Sequence, residues 1–429
     1  MKTSKLQNFM VFFILSATVA LAYQIPYLRY TFYDQFATAY NLTNTQMGFI
    51  ASALAFTNTI CYPIGGIFAD KFSTKFLMCL TLAAFVALSV VFALVTSYML
   101  LIVIHVLFGF FGIATLWSAY LNGIRNLGDE GNQSKMFGSS EATRGIVQTI
   151  MGFAYLGIVG AAATEIAGMR MLLFFSAAVS AVLLVLAIIF LPNDKKDKTK
   201  KATESVQTSN EKKYTIGDIL KNKGVWITIL IVMFAYIVWQ VGNTYLSTYT
   251  VQVLQISTET ASAIGIVRSY IIVLLAGFIG GFVMDKFTYK GKGFILMFGL
   301  SIVIVAAVMA TSKVVPVCIA MTLVIAFLAN IMKSTYWSVM DQAGIPVGMT
   351  AMATGIISFI AFIPDFLIGP ICGTWLDNAE AAGNIAAGFN NIFIFLIVSG
   401  ILGILSSILL MRHTKSLENK KTTEKAVQE

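Results

Sequence analysis

The sequence predicts an all-α membrane protein with twelve transmembrane helices in two pseudo-symmetric bundles of six. The first observation is composition, because 58% of the 429 residues are hydrophobic and only 11% are charged, whereas soluble domains carry about 25% charged residues. The second is that the apolar residues fall into runs of about 18–25, the length that crosses a bilayer as a helix. The third is a short charged motif that recurs about half a chain length later.

Each apolar run is predicted to be a helix, because backbone inside lipid must satisfy its own hydrogen bonds, and none alternates in polarity as a β-barrel strand does. The predicted spans are 8–33, 46–68, 75–95, 98–124, 137–162, 170–191, 225–252, 259–283, 293–311, 314–337, 350–373 and 388–411. The expected organisation is an N-terminal bundle at 1–191, a cytoplasmic linker at 192–224, a C-terminal bundle at 225–411 and a cytoplasmic tail at 412–429.

Basic residues are concentrated in alternate connections, and the polar linker alone carries nine lysines between Asp194 and Lys223. This is the positive-inside pattern, which places both termini in the cytoplasm of a protein of the cytoplasmic (inner) membrane. The net charge of +9 therefore indicates topology and contact with anionic lipid. No nucleic-acid-binding module is present, so nucleic acid is not an expected partner.

The recurring motif reads GGIFADKFSTK from Gly65 and GGFVMDKFTYK from Gly280, each after the second span of its half. We expect Gly65 and Gly66 to let two helices approach closely. The acid at the helix end is expected to meet a helix N-terminus or an arginine. The motif would then act as a latch that forms in one state of the protein, the alternative being a simple charged end-cap.

With this motif, the chain resembles the major facilitator superfamily over nearly its whole length. The superfamily signature is roughly G-x-x-x-D-R/K-x-G-R-R/K. The matching residues are Gly66, Asp70, Lys71 and Lys75 in the first half and Gly281, Asp285, Lys286 and Lys290 in the second. The inner glycine is absent, because Ser73 and Thr288 follow the two DKF triplets. The resemblance implies a secondary transporter that works by alternating access.

Ionisable residues inside the membrane are costly, so each is a candidate functional residue. In the first span, Tyr23, Tyr27, Tyr30 and Asp34 recur at helical spacing and are predicted to share one face, with Arg29 on another. We expect Arg29 to anchor an anionic substrate. Tyr27, Tyr30 and Asp34 are expected to line the same site.

Charged and polar residues in the other spans complete the expected site. Arg144, Gln240, Arg268 and Lys333 are candidate substrate-binding residues, and Asp365, His105 and Glu141 are candidate coupling residues. Each of the three coupling residues has an alternative. Glu141 can form a structural pair with Arg144, Asp365 can balance a buried cation, and His105 can be a packing residue. Prolines beside Asp365 are expected to make its helix bendable.

Stretches such as RYTFYDQFATAYNLTNTQMG and IPDFLIGPICGTWLD resemble a bacterial branch near the organophosphate:phosphate antiporters. Arg29 falls where those antiporters hold an anion-binding arginine. Their second arginine, in the seventh helix, is absent here, where Trp239 and Gln240 stand instead. Since phosphate needs strong charge-assisted contacts, a carboxylate or sulfonate is also an expected ligand.

The sequence contains no hydrolase, zinc-protease or P-loop motif, so we expect neither an enzyme nor ATP-driven transport. The predicted function is secondary transport of a small polar or anionic organic metabolite, proton-coupled or by exchange, at a site between the halves. Its expected partners are the solute, a proton or counter-substrate and the lipid bilayer. The protein is expected to be a monomer without cofactor or metal ion. The alternative function is a transporter-like membrane sensor of solute.

Overall fold

The computed structural model describes residues 5–127, 133–193, 215–311, 314–346 and 349–428. Most of the predicted linker lies outside these residues. Regular structure in the described part of the chain is helical throughout. Eleven of the described helices are long and apolar enough to cross a membrane, and the shorter apolar helix Leu6–Ala22 accompanies them. The all-α membrane class with twelve spans is thereby confirmed.

The first half of the chain begins with a broken span and continues with long helices. Its helices are α1 (Lys5–Ala22), a 3-10 helix (Ile25–Tyr30), α2 (Tyr33–Tyr40), α3 (Asn44–Lys71), α4 (Thr74–Leu94), α5 (Tyr98–Phe110), a π-helical segment (Phe111–Trp117), α6 (Ser118–Leu127), α7 (Gln133–Gly160) and α8 (Glu165–Phe190). Thr43 caps the N-terminus of α3, because its hydroxyl accepts the Gln46 backbone N–H while the Gln46 side chain accepts the Thr43 N–H.

The second half has a comparable series of long spans, several of them divided. Its helices are α9 (Ile216–Lys221), α10 (Lys223–Gln252), α11 (Thr258–Ile266), a π-helical segment (Val267–Ile271), α12 (Ile272–Asp285), α13 (Lys290–Ala310), α14 (Val315–Thr335), a 3-10 turn (Tyr336–Ser338), α15 (Val339–Gln342), α16 (Thr350–Ala361), α17 (Ile363–Ala381) and α18 (Ile385–Gln428).

The described residues group into two compact units. The first comprises residues of 1–209, 257–270 and 369–373, and the second comprises those of 210–256, 271–368 and 374–429. The first unit therefore contains α1–α8 together with α11 and one turn of α17. The second unit contains α9, α10, α12–α16, the rest of α17, and α18.

The first span is not the single helix that the sequence predicts at 8–33. α1 ends at Ala22, and a 3-10 helix that contains the non-helical residue Tyr27 (φ −109°, ψ 19°) follows. Pro26 explains the break, because proline has no backbone N–H and restricts the residue before it. The tyrosines are therefore carried around a kink rather than along one face of a uniform α-helix.

Three later spans are also interrupted. π-helical segments divide the predicted spans 98–124 and 259–283, and such segments occur frequently at functional sites. The span predicted at 350–373 is broken at Phe362 (φ −97°, ψ 4°), immediately before Pro364 enters the first turn of α17. The interruption lies beside Pro364, and the expected bendability of this span stays a prediction.

The last helix, α18, has 44 residues and continues through the predicted tail. Its extension packs on the end of α15, where the Thr414 hydroxyl donates to the Gln342 carbonyl (2.8 Å) and Leu417 lies against Gly344 (φ +71°). The Tyr289 hydroxyl donates to Glu418 Oε2 at 3.0 Å. This hydrogen bond holds the phenolic proton and raises the pKa of Tyr289.

Of Gly65 and Gly66, which we expected to let two helices approach closely, only Gly65 does so, and its counterpart Gly280 in the second motif is also closely packed. A Cβ atom on Gly65 would lie 2.9 Å from the Ile113 carbonyl oxygen, and one on Gly280 would lie 2.8 Å from Ser334 Oγ. Gly66 and Gly281 are exposed and would meet no atom within 4 Å. The expectation was wrong for Gly66, because one helix turns successive residues to different faces, and Gly281 is placed in the same way.

We predict that Gly65→Ala destabilises the protein, whereas its neighbour Gly66→Ala does not. The added methyl group of Gly65→Ala must displace backbone of the π-helical segment, and such overpacking costs about 1–3 kcal/mol. The midpoint of thermal unfolding in detergent measures the difference. Equal midpoints for the two variants would contradict this packing role.

Candidate functional site

The charged residues of the two motifs make different contacts. In the second motif, Lys290 Nζ lies 2.6 Å from Asp285 Oδ1, and the Lys290 backbone N–H donates to Gln342 Oε1 at 2.8 Å. In the first motif, Lys75 Nζ instead donates to the Ile188 carbonyl at the end of α8, at 2.6 Å. One sequence pattern therefore supports an internal ion pair in one copy and a helix C-terminal contact in the other.

The contact expected of Asp70, with a helix N-terminus or an arginine, stays a prediction. Asp70 is exposed and has no ion pair or hydrogen bond among the described residues, and Lys71 and Lys286 are exposed as well. The latch role of the first motif remains a prediction. The structural contacts of that motif are the close packing of Gly65 and the hydrogen bond of Lys75 to the Ile188 carbonyl.

Arg29 lies in the 3-10 helix after α1 and is almost completely buried, with 6% of its surface exposed. Its guanidinium carbon is 4.8 Å from the centre of the Tyr30 ring, and Nη2 donates to the Tyr30 hydroxyl at 3.4 Å. The rings of Tyr27 and Tyr30 stack with their centroids 5.5 Å apart, and those of Tyr23 and Tyr27 stack at 6.1 Å. The predicted tyrosines thus form a continuous stack that begins beside Arg29.

The other end of this tyrosine stack meets Arg144. The guanidinium carbon of Arg144 is 5.8 Å from the Tyr23 ring centre, and the predicted pair with Glu141 is present at 2.5 Å. Trp117 packs edge-on against Tyr23, and Asn58 Nδ2 donates to the Tyr27 hydroxyl at 2.8 Å. Trp117 and Asn58 therefore contact the same tyrosine stack that Arg29 and Arg144 flank, and we call these residues the arginine–tyrosine cluster.

Asp34 does not share a helix face with the three tyrosines, because the 3-10 helix ends at Tyr30 and a separate helix, α2, begins at Tyr33. Asp34 is half-buried in the first turn of α2, where a carboxylate is favoured by the helix dipole. The side-chain nitrogen of the adjacent Gln35 makes two hydrogen bonds, since Nε2 donates to Ser262 Oγ at 2.8 Å and to the Thr258 carbonyl at 3.1 Å.

His105 is buried in an aromatic environment. Its ring packs against those of Phe36, Phe92 and Phe108 with centroids 5.3–6.3 Å apart, and its Nδ1 donates to the Leu101 carbonyl at 2.8 Å. These contacts are those of a packing residue, the alternative that the sequence left open.

Arg268 is completely buried and lies in the π-helical segment after α11. The neighbouring turn packs tightly on α7, because a Cβ on Gly152 would lie 3.2 Å from both Ile266 and Tyr270. A buried guanidinium in a π-helical segment is a combination that is typical of functional positions.

A second cluster of polar and aromatic residues lies in the second unit. Lys333 Nζ is 3.0 Å from the centre of the Trp239 ring, a close cation–π contact. The Trp239 indole N–H donates to Asn330 Oδ1 at 2.9 Å, and Tyr236 packs on Phe362 at the break between α16 and α17. Lys333, Trp239 and Asn330 are therefore held together by α10 and α14, and we call them the Lys333 cluster.

Gln240 lies on α10, which also carries Trp239, and Asp365 lies on α17, which starts beside Phe362. Gln240 is completely buried in α10, and neither its side-chain oxygen nor its nitrogen has a hydrogen-bond partner in the described part of the chain. Asp365 is half-buried in the first turn of α17, and its backbone N–H donates to the Phe362 carbonyl at 2.9 Å. The Gln240 amide is thus placed to bond to an added polar group, and the Asp365 carboxylate is placed to take up a proton.

The sequence signals for Asn58, Trp117 and Asn330 were weak. Asn58 lies in a polar triplet, TNT, inside an apolar span, and Asn330 precedes Lys333 by three residues on the same helix face. Trp117 lies in the TLWSAY stretch, and nothing in its local pattern points toward Tyr23. Among the described residues, no group of His, Cys, Asp and Glu has a metal-binding arrangement, and all four cysteines are free.

Comparison with known protein families identifies the family to which this architecture belongs. The profile of the Major Facilitator Superfamily matches residues 6–368. The chain belongs to the Major Facilitator Superfamily. A curated relative is the inner membrane protein YihN of Escherichia coli (strain K12), which is 26% identical over 376 residues that cover 86% of this chain and 87% of YihN.

Solved structures of transporters share the superfamily fold with this chain. A bacterial homologue of the human lysosomal transporter Spinster, in an inward-facing and unoccupied conformation, has a TM-score of 0.73 and 13% identity, with 96% of this chain and 98% of that chain covered. A D-xylose–proton symporter has a TM-score of 0.68 and 16% identity, with 94% and 96% covered. The protein is thus a multi-pass membrane protein with the fold of a superfamily of transporters.

Proposed function

We propose that the protein is a secondary active transporter that moves a small polar or anionic organic metabolite across the cytoplasmic membrane by alternating access. The observation that carries this proposal is Arg29, a buried guanidinium in a non-helical turn at the end of a tyrosine stack. The positive-inside pattern of the sequence supports cytoplasmic placement of both termini.

The surroundings of Arg29 favour anion binding over a purely structural role. A guanidinium inside the membrane is expensive to bury, and such residues are usually functional. Arg144, on the same stack, is paired with Glu141 at 2.5 Å, so its charge is balanced within α7. A guanidinium is a planar fork whose geometry suits a carboxylate or sulfonate, and that of Arg29 is held against the ring face and the hydroxyl of Tyr30.

Coupling is proposed to draw on a proton gradient or on exchange, because the sequence has no nucleotide-binding motif. Asp365 is the preferred coupling residue, since it lies where α17 starts after a backbone break and beside Pro364. A helix break is a natural place for a proton-linked movement. Glu141 is engaged with Arg144, and His105 has packing contacts, so both rank below Asp365.

The ligand class is proposed from side chains, because the shared fold serves unrelated solutes. The resemblance to organophosphate:phosphate antiporters extends to Arg29 but not to the seventh span, where Gln240 stands. A phosphate ester with two negative charges needs more than one cation. We therefore favour an organic acid with a single negative charge at the recognised group.

Thermal stabilisation by paired solutes tests this ligand class, because a ligand stabilises the state that it binds. The pairs are D-gluconate with D-glucose and succinate with succinamide, each at millimolar concentration with purified protein. We expect the anionic member of at least one pair to raise the unfolding midpoint by several degrees more than its neutral match. Stabilisation by the neutral members alone would contradict the anion site.

A further inference from the structure

A cavity lies at the end of the first unit where α1 and α4 begin and where α6 and α8 end. Its volume is about 260 Å³, many times the roughly 30 Å³ that one water molecule occupies in the liquid. All four helices contribute to its lining. None of the residues assigned above to solute binding or coupling is among the lining residues, so the cavity is a separate feature of the molecule.

The polar part of the lining carries a positive charge. It consists of Gln7, Asn8, Thr74, Lys75 and Asn126. Lys75 Nζ donates to the Ile188 carbonyl at 2.6 Å, which uses one of the three hydrogens of the ammonium. None of the described lining residues is acidic, and Lys75 takes part in neither of the two ion pairs of the described chain. The cavity therefore offers an ammonium group and side-chain amides to an anion.

The apolar part of the lining is more deeply buried than the polar part. Val11, Leu15 and Leu191 are at most 6% exposed. Asn8 and Asn126, by contrast, are exposed. The apolar side chains thus form the floor of the cavity and the amides stand at its mouth. An occupant with an anionic end and an apolar end matches this arrangement.

Apolar side chains that face outward lie next to the mouth. Phe9, which follows Asn8 on α1, and Ile188 on α8 are each more than half exposed, and exposed apolar side chains of this kind mark a surface in contact with lipid. Because the Lys75 ammonium contacts the Ile188 carbonyl, it lies at the boundary between the cavity and this surface. The positive-inside pattern predicts that this end of the unit is cytoplasmic, where the bilayer surface is rich in anionic headgroups.

We propose that this cavity binds the headgroup of an anionic phospholipid of the cytoplasmic leaflet. The phosphodiester oxygens accept hydrogen bonds from the Lys75 ammonium and from the amides of Asn8 and Asn126. The glycerol carbons and the first part of the acyl chains lie against the apolar floor and against Phe9 and Ile188. Basic pockets between transmembrane helices on the cytoplasmic side are suited to such headgroups. The site is independent of the solute that the protein carries.

This site also accounts for the difference between the two copies of the sequence motif. Lys290 in the second copy is paired with Asp285 at 2.6 Å. Lys75 in the first copy has the Ile188 carbonyl and no ion pair with a described residue. The lysine without an acidic partner is the one that lines the cavity, where an anionic headgroup supplies the missing negative charge.

Two lipids with the same acyl chains test the site. Dioleoyl-phosphatidylglycerol, which is anionic, and dioleoyl-phosphatidylcholine, which is zwitterionic, are each titrated into purified protein in detergent, and the unfolding midpoint is followed. Since a ligand stabilises the folded state to which it binds, we expect phosphatidylglycerol to raise the midpoint by several degrees more than phosphatidylcholine does. The titration also gives an apparent Kd for each lipid.

Two lysines of one motif provide the decisive comparison. Lys75→Gln removes the charge and keeps an amide that can donate to the Ile188 carbonyl, so its midpoint without lipid should stay near the native value. Lys71→Gln is the matched control, because it removes the same charge from an exposed lysine that does not line the cavity. Lys75→Gln should bind phosphatidylglycerol about tenfold or more weakly, the loss of one charge-assisted hydrogen bond, while Lys71→Gln binds it as the native protein does.

A second variant at the mouth tests the cavity without changing its charge. Asn126 is exposed, so Asn126→Leu should fold as the native protein does, because most surface substitutions change stability little. We expect it to weaken phosphatidylglycerol binding by about threefold or more, since one amide donor to the phosphodiester is lost. It keeps the proposal testable if Lys75→Gln does not fold, and native affinity in Asn126→Leu would then contradict the site.

Three results would overturn the proposal. Equal weakening in Lys71→Gln and Lys75→Gln would show only general attraction between basic loops and anionic lipid. Native protein that does not prefer phosphatidylglycerol to phosphatidylcholine would show that the cavity does not select an anionic headgroup. The third arm uses sn-glycerol 3-phosphate, which carries the phosphate without acyl chains and should give no shift that depends on Lys75. A Lys75-dependent shift as large as that of the lipid would assign the cavity to a soluble phosphate ester instead.

Discussion

Arg29→Ala is expected to abolish uptake of an anionic solute while the protein still folds and inserts. Removal of the guanidinium takes away charge-assisted hydrogen bonds worth about 1.5–3 kcal/mol each, which corresponds to a loss of about tenfold to more than a hundredfold in affinity. The change also removes a costly buried cation, so the unfolding midpoint should not fall by more than a few degrees. Initial rates of uptake into proteoliposomes at sub-saturating solute measure the effect.

Two controls accompany Arg29→Ala. Arg29→Lys retains the charge but loses the planar fork, so partial uptake is expected. Arg125→Ala removes an exposed arginine of the same half and should leave uptake unchanged. If Arg29→Ala transports the anion at the native rate, Arg29 is not the anion anchor.

Gly48→Ala and Gly373→Ala are expected to stop transport through packing rather than chemistry. α3 and the Gly369–Gly373 turn of α17 touch through bare backbone, and a Cβ on Gly48 would lie 2.6 Å from the Pro370 nitrogen, with Gly369 backbone atoms closer still. A Cβ on Gly373 would lie 2.7 Å from Thr45 Cα. Backbone atoms cannot rotate away, so either methyl group must separate the helices at a cost of about 1–3 kcal/mol or more.

The matched control is Gly355→Ala in α16, because a Cβ there would meet no atom within 4 Å. We expect a lower unfolding midpoint and at least a tenfold slower uptake for Gly48→Ala and Gly373→Ala, and native values for Gly355→Ala. Native uptake by Gly48→Ala would show that this helix contact is dispensable for the transport cycle.

The twelve spans could be read from the sequence because lipid imposes one strong rule on every segment. The bilayer requires a run of apolar residues with internally paired backbone, and hydropathy reports that run directly. The breaks inside the spans were harder to predict from the sequence. Pro364 indicated the interruption at Phe362. The π-helical segments at Phe111–Trp117 and Val267–Ile271, by contrast, contain no proline or other local sequence pattern that predicts them.

Residues of the candidate site could be predicted from the sequence only where they are charged. Arg29 and the Glu141–Arg144 pair could be proposed from the cost of burial and from spacing along one helix. Asn58 and Trp117 contact Tyr27 and Tyr23 through residues far apart in the chain, and no local pattern encodes such a contact. Likewise, a glutamine in an apolar span gives no sign that its amide is left unsatisfied, because that depends on every side chain packed around it.

The solute counterflow of the native protein tests the central claim most directly. Proteoliposomes are loaded with unlabelled D-gluconate or another organic acid that stabilises the protein, and entry of the labelled acid is followed against a diluted exterior. We predict transient, saturable accumulation of label above equilibrium, which requires one carrier to exchange solute across the bilayer. A protein that binds the acid but exchanges none would be a membrane sensor of solute, and the transport function proposed here would be wrong.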